Sequence, residues 1–152
     1  MRLLDVNVLI ALAWPTHVHH APATEWFLAH HLEGWATCPV TESGFVRVSS
    51  NHRVISDART PGEAAHLLAR FRAVGGHAFW PDAVSVADHA DMLAEGVHGS
   101  SAVTDAHLLL LARSYDGQVV TFDRGLLALA NRLGAQAQLV SSSVPTVELP
   151  DR

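Results

Sequence analysis

The chain has 152 residues, the size of one globular domain that can bury a full core without staples, and its domain is expected to span 1–152. Its 49% hydrophobic content excludes wholesale disorder, and 15 acidic against 10 basic residues give a net charge of −5 that argues against clamping nucleic acid by overall charge. All ten basic residues are arginine, which excludes Schiff-base and P-loop lysine chemistry, and the single Cys38 excludes an internal disulfide or a CxxC zinc site.

Leu3 and Leu4 start a short buried strand that ends at Asp5. Asp5-Val6-Asn7-Val8 then turns into an apolar helix over 8–14, stopped by Pro15 because proline cannot continue a helix interior. Thr16 is expected to cap a second helix running to about His31. After Gly34, residues 35–38 read as a second strand, and Pro39-Val40-Thr41-Glu42 leads into a helix expected over 42–50. Thr60-Pro61-Gly62-Glu63 combines a capping threonine, a first-turn proline and a glutamate three residues after the cap, and predicts a helix to about Val74. A third strand over 77–80, a helix over 84–94 and a flexible connection over 96–101 follow. Asp105 opens a strongly apolar helix to Arg113, Gln118 to Thr121 form a fourth strand, Asp123-Arg124-Gly125 starts a helix to about Arg132, and 136–140 is a last strand. This alternation predicts an α/β fold with a mostly parallel sheet of four to five strands and helices on both faces.

Four acids stand where apolar runs meet polar backbone: Asp5, Glu42, Asp105 and Asp123. Taken singly, each reads as a helix cap. Taken together in a parallel α/β layer they converge on one sheet edge, the edge at which such folds bind ligands. Gathered carboxylates repel unless protons or cations neutralise them, and oxygen donors suit Mg²⁺ or Mn²⁺. Two such ions would bring the net charge to about −1, which softens the argument against a nuclease. Glu42 is the least secure member, since Thr41-Glu42 also reads as a plain helix start. Asn7, Thr104 and Thr121 flank the acids and could hydrogen-bond carboxylates or bound water. The histidine group His17, His19, His20, His30 and His31 lacks HExxH and reads as partly exposed polar positions, whereas His107 reads as packed and the tryptophans 14, 26 and 35 as core or an interface. GxxxxGK[ST], GxGxxG and GxSxG are all absent. No run approaches the roughly 18 apolar residues of a membrane span, and the apolar start is broken by Asp5 and Asn7, so a cytoplasmic protein that uses no membrane is expected.

The start Leu3-Leu4-Asp5-Val6-Asn7-Val8-Leu9-Ile10, the Thr41-Glu42 helix start, Thr104-Asp105-Ala106-His107-Leu108 and Thr121-Phe122-Asp123-Arg124 resemble a PIN domain, and more closely a VapC-type toxin of a bacterial type II toxin–antitoxin system. The segments Ala13 to His17 and Gly34 to Pro39 add to the likeness. The resemblance implies a three-layer α/β/α fold, endoribonuclease activity dependent on Mg²⁺ or Mn²⁺, inhibition by a VapB-type antitoxin, and a homodimer. It also implies that Asp5, Glu42, Asp105 and Asp123 are the catalytic and metal-binding acids. The expected chemistry is attack of water on an RNA phosphodiester, leaving a 5′-phosphate and a 3′-hydroxyl, with the divalent ion polarising the phosphoryl group. Arg47, Arg53 and Arg124 are expected phosphate contacts, because they lie near these acids in sequence and arginine engages phosphate bidentately. Two alternatives stay open: a DNA or structure-specific nuclease with the same metal site, and a non-catalytic binding module whose acids only cap helices.

Overall fold

The computed structural model describes residues 1–141. Five strands form one sheet, every pairing parallel: β1 (Arg2–Leu4), β2 (Trp35–Thr37), β3 (His77–Phe79), β4 (Gln118–Thr121) and β5 (Ala137–Leu139), in the order β3-β2-β1-β4-β5. The sheet is thus more regular than the mostly parallel one expected. Seven α-helices are described: α1 (Val6–Ala13), α2 (His20–His30), α3 (Pro39–Ser49), α4 (Pro61–Arg72), α5 (Ala90–Gly96), α6 (Val103–Ser114) and α7 (Arg124–Leu133).

Adjacent side chains on a strand point to opposite faces, and both faces here are covered, so the strands read as unbroken apolar runs. Leu3, Ala36 and Val119 enter one core with α6 and α7, whereas Leu4, Trp35 and Val120 enter the other with α1, α2 and α3. All six are at most 1% exposed. Phe45 of α3 is fully buried in the second core, and truncating such a phenylalanine to alanine costs about 3–5 kcal/mol. Cys38 is fully buried in the first core, as a small apolar side chain would be. The three tryptophans 14, 26 and 35 are buried in the second.

Gly44 sets the approach of α3 to α1. A Cβ there would fall 2.6 Å from Val6 Cγ2, so only glycine lets the two helices meet at this distance. Gly76 is fixed more firmly: its φ is +85° and a Cβ would overlap the His31 carbonyl oxygen, while its own carbonyl accepts from Trp35 N at 2.9 Å to start β2.

Several element starts differ from the sequence expectation. Helix α1 begins at Val6, two residues early, because Asp5 Oδ1 accepts from Val6 N at 2.7 Å and caps it. Thr16 caps nothing: successive turns, His17 N to Trp14 O at 3.0 Å and His20 N to His17 O at 2.9 Å, consume the segment, and α2 starts at His20. Helix α3 starts at Pro39 rather than at Glu42, with Cys38 N donating to Thr41 Oγ1 at 3.0 Å and proline in the first turn. The helix expected over 84–94 is a 3-10 turn (Val86–His89) followed by α5, since Asp82 Oδ1 accepts from Val84 N at 3.1 Å and holds the chain in a side-chain-closed turn. Asp105 lies in the first turn of α6, two residues after its start. The capping box at Thr60 and Glu63 stands as read.

The order of strands reverses direction between β1 and β4: the chain builds outward through β2 and β3, then crosses over to β4 and β5. In open parallel sheets the crevice at such a switch, outside the carboxyl ends of the strands, is where ligands sit. Asp5 follows β1 and Asp123 follows β4, one on each side of this crevice.

Candidate metal centre

Thr121, the last residue of β4, is fully buried and joins the two sides of the crevice. Its hydroxyl donates to Asp5 Oδ2 at 2.7 Å and accepts from Asn7 Nδ2 and from Asp123 N, both at 3.0 Å. One donor and two acceptor positions use the whole capacity of a hydroxyl. Asn7 Oδ1 accepts in turn from Phe122 N at 3.2 Å, so the asparagine staples α1 to the segment after β4. Asp123 caps α7, its Oδ1 accepting from Gly125 N at 2.6 Å. The expectation that Asn7 and Thr121 support the acids thus has a defined geometry. Thr104 is exposed and stands apart from this network, in a cleft of about 380 Å³ with Val40, Asp82 and His107.

The electrostatics tie Asp105 to the same place. Burial first, and then the charges of Asp5 and Asp123, push the Asp105 carboxyl up to about 6. Asp5 is also raised, chiefly by burial, with the bonds from Thr121 and Val6 N opposing and the charge of Asp123 adding. Among the described residues, none of the three aspartates forms an ion pair, and the side chain of Asp105 accepts no hydrogen bond.

Glu42 is held differently. Thr37, fully buried at the end of β2, donates its hydroxyl to Glu42 Oε1 at 2.6 Å. With its one hydrogen spent there, Thr37 Oγ1 accepts from His77 Nε2 at 2.8 Å. Arg72 Nε lies 3.4 Å from the same glutamate oxygen, and its guanidinium carbon lies 5.2 Å from the centroid of the Phe79 ring. Burial, then the Arg72 charge, lowers the His77 pKa. Sequence reading missed Thr37, Arg72 and His77. A threonine closing a strand just before an acid, as Thr121 also does, was the signal that could have found the first. Arg72 and His77 lie 30 and 35 residues beyond Glu42 and carry no local mark.

The expected arginines are all exposed: Arg47 beside Glu42 and Arg72 along a cleft of about 780 Å³ between α3 and α4, Arg53 in the turn after α3, and Arg124 at the start of α7. The histidines are engaged locally: His20 with Ala11 O at 2.8 Å, His30 with Glu33 at 3.0 Å and His31 with Phe27 O at 3.1 Å. His107 meets Asp82 at 2.5 Å.

Whether these residues suit a hard divalent cation can be judged from the donor set. Asp5, Asp105 and Asp123 offer only carboxylate oxygens, and Asp5 Oδ1 accepts from Val6 N while Oδ2 accepts from Thr121. Among the described residues no three His, Cys, Asp or Glu side chains converge tightly enough to enclose an ion. Mg²⁺ does not require such a cage: it is usually held by one or two carboxylates, with water and substrate phosphate completing the shell. The donor set fits.

Fold and site together define a class. The sequence profile of the PIN domain matches residues 2–132, and the chain belongs to the PIN-domain family. Among its relatives is Ribonuclease VapC38 of Mycobacterium tuberculosis (strain ATCC 25618 / H37Rv), 52% identical over 132 residues, covering 87% of this chain and 92% of the relative. Ribonuclease VapC39 of the same strain is 49% identical over 82% of this chain and 89% of its own length, which makes the chain a VapC-type member. Of solved structures, FitAcB from Neisseria gonorrhoeae superposes with a TM-score of 0.59 over 90% of this chain and 96% of its own, at 17% identity, and shares the fold.

Proposed function

We propose that this chain works as a single domain, a metal-dependent endoribonuclease that serves as the toxin of a type II toxin–antitoxin pair. The observation that carries the reading is the trio Asp5, Asp105 and Asp123, mutually repelling carboxylates without a protein cation, at the switch crevice of a parallel sheet. The kinship with proteins named ribonucleases supplies RNA as the substrate class.

Mg²⁺ or Mn²⁺, when bound, would supply a Lewis acid and lower the pKa of water for attack on phosphorus. The chain's own part is orientation. Thr121 and Val6 N hold Asp5, and Gly125 N holds Asp123, so both carboxylates are fixed before any ion binds and lose little rotamer entropy on binding. Asp105 is ionised above a pH of about 6 and adds the charge that draws a cation in. Glu42 would join the set by leaving Arg72, whose guanidinium could then pair with an RNA phosphate. Arg47, Arg53 and Arg124 are the other phosphate contacts in this reading. The products are a 5′-phosphate and a 3′-hydroxyl.

A VapB-type antitoxin, a homodimer and a cytoplasmic location complete the proposal. The described residues contain no helix long and apolar enough to cross a membrane. Brief expression followed by mapping of new 5′ ends in total RNA tests the activity, with Asp5→Asn as control. Discrete 5′-phosphorylated ends made by the parent and lost in the variant support the reading. Equal patterns from both would sink it.

A further inference from the structure

His19 lies outside every interaction assigned so far to the acidic crevice, yet it stacks on a residue that directly follows β4. It stands just before α2, and its ring stacks on Phe122 with centroids 4.5 Å apart and planes 12° apart. Phe122 is the residue between Thr121 and Asp123, and its backbone N is bonded to Asn7. The stack is therefore anchored to the same staple that orients Asp5. Phe122 is half-buried beneath, and His19 is exposed on top. His19 N donates to His17 Nδ1 at 3.1 Å, and the two histidine rings lie 5.7 Å apart, which fixes the approach of the loop.

We infer that the His19–Phe122 pair is a base-stacking platform, on which an unpaired RNA base rests while its neighbouring phosphate lies at the aspartates. The inference rests on the ribonuclease reading. Single-stranded RNA is recognised by splayed bases stacked on aromatic rings, histidine included. With a net charge of −5 and no lysine, this chain gains little from phosphate attraction at large, so contacts to bases must carry more of the affinity. A planar, exposed ring backed by a second ring, on the residue next to Asp123, meets that need. His19 acts as a positioning residue, through the base and not on the phosphorus.

The test measures binding of a short labelled single-stranded RNA of mixed sequence in chelating buffer, where no cleavage occurs, beside an abasic ribose-phosphate strand of equal length. His19→Ala is expected to weaken RNA binding at least about fivefold, the low end for one base–aromatic contact, and to leave the abasic strand unaffected. His19→Phe restores the loss, because it keeps the ring. In Mg²⁺ the His19→Ala defect appears in KM while kcat holds. The inference is overturned if His19→Ala binds RNA like the parent, if both strands weaken equally, or if His19→Phe is as weak as His19→Ala. A parent that cleaves no RNA would overturn the ribonuclease reading instead, while a cleaving parent matched by His19→Ala overturns the platform alone.

Discussion

Glu42 and Asp5 follow neighbouring strands at one sheet edge, and each accepts from a buried strand-ending threonine. There the likeness stops. Glu42 is matched inside the protein by Arg72 and sits within a bonded group with Thr37 and His77. Among the described residues Asp5, Asp105 and Asp123 have no ion-pair partner, and the charge of Asp123 helps to push the other two up. One region is complete as it stands. The other pairs with no protein cation among the described residues, which makes it the candidate for binding a ligand. Position at a sheet edge thus does not fix an acid's electrostatic surroundings; the company of a cation does.

Breaking the trio should have the largest effect. Asp5→Asn is expected to cut RNA cleavage by at least about 100-fold, the upper range for loss of groups that merely support metal ligands, while circular dichroism stays that of the parent. Thr121→Val comes next. It frees Asp5 Oδ2 and leaves Asn7 Nδ2 and Asp123 N without an acceptor, so activity should fall about 10- to 100-fold, with Thr121→Ser close to the parent. The matching change Thr37→Val should affect Mn²⁺ affinity less than Thr121→Val does, if the two regions differ as described. Calorimetric titration of both variants with Mn²⁺ checks this.

Arg72→Gln tests the comparison from the other side. Removing the cation that Glu42 holds should tighten Mn²⁺ binding by about fivefold, the weight of one exposed charge pair at close range, and unchanged affinity would mean that Glu42 takes no part in the ion site. The smallest expected effect is on stability. Asp105 titrates near 6 when folded against 3.8 for an ordinary aspartate, so the folded protein keeps a proton that the unfolded chain has lost in the window between them. Stability therefore declines as the pH rises through that window, and the deficit is fully present above about 6. In chelating buffer at neutral pH, Asp105→Asn should melt a few degrees above the parent, and the gap should close toward pH 4. Adding Mn²⁺ should raise the parent more than the variant.

What could be read from the sequence follows the range of the interactions. The five strands and Asp5 and Asp123 at their ends were legible because parallel strands buried on both faces are short apolar runs, and the residue after each run is fixed by the chain itself. The Thr60–Glu63 box was legible because its partners are three residues apart. The start of α2 was not, since Thr16 looks like a cap and only the turns through His17 show otherwise. The electrostatic coupling of Asp105 depends on charges about a hundred residues before it and 18 after it. The pairing of Glu42 with Arg72 depends on how α4 packs against α3, which no local pattern records.

The place of β4 beside β1 has a consequence for synthesis. Leu4 pairs with Val120, and Asp5 takes its hydrogen bond from Thr121, so the first acid waits for a partner more than a hundred residues downstream. At ribosomal rates of about 5–20 residues per second, on the order of ten seconds separate the emergence of the two. During that interval a nascent chain has no assembled crevice, and a product cut short before β4 never acquires one. For a protein proposed to cut RNA, the strand order itself delays assembly of the candidate site until β4 has been made.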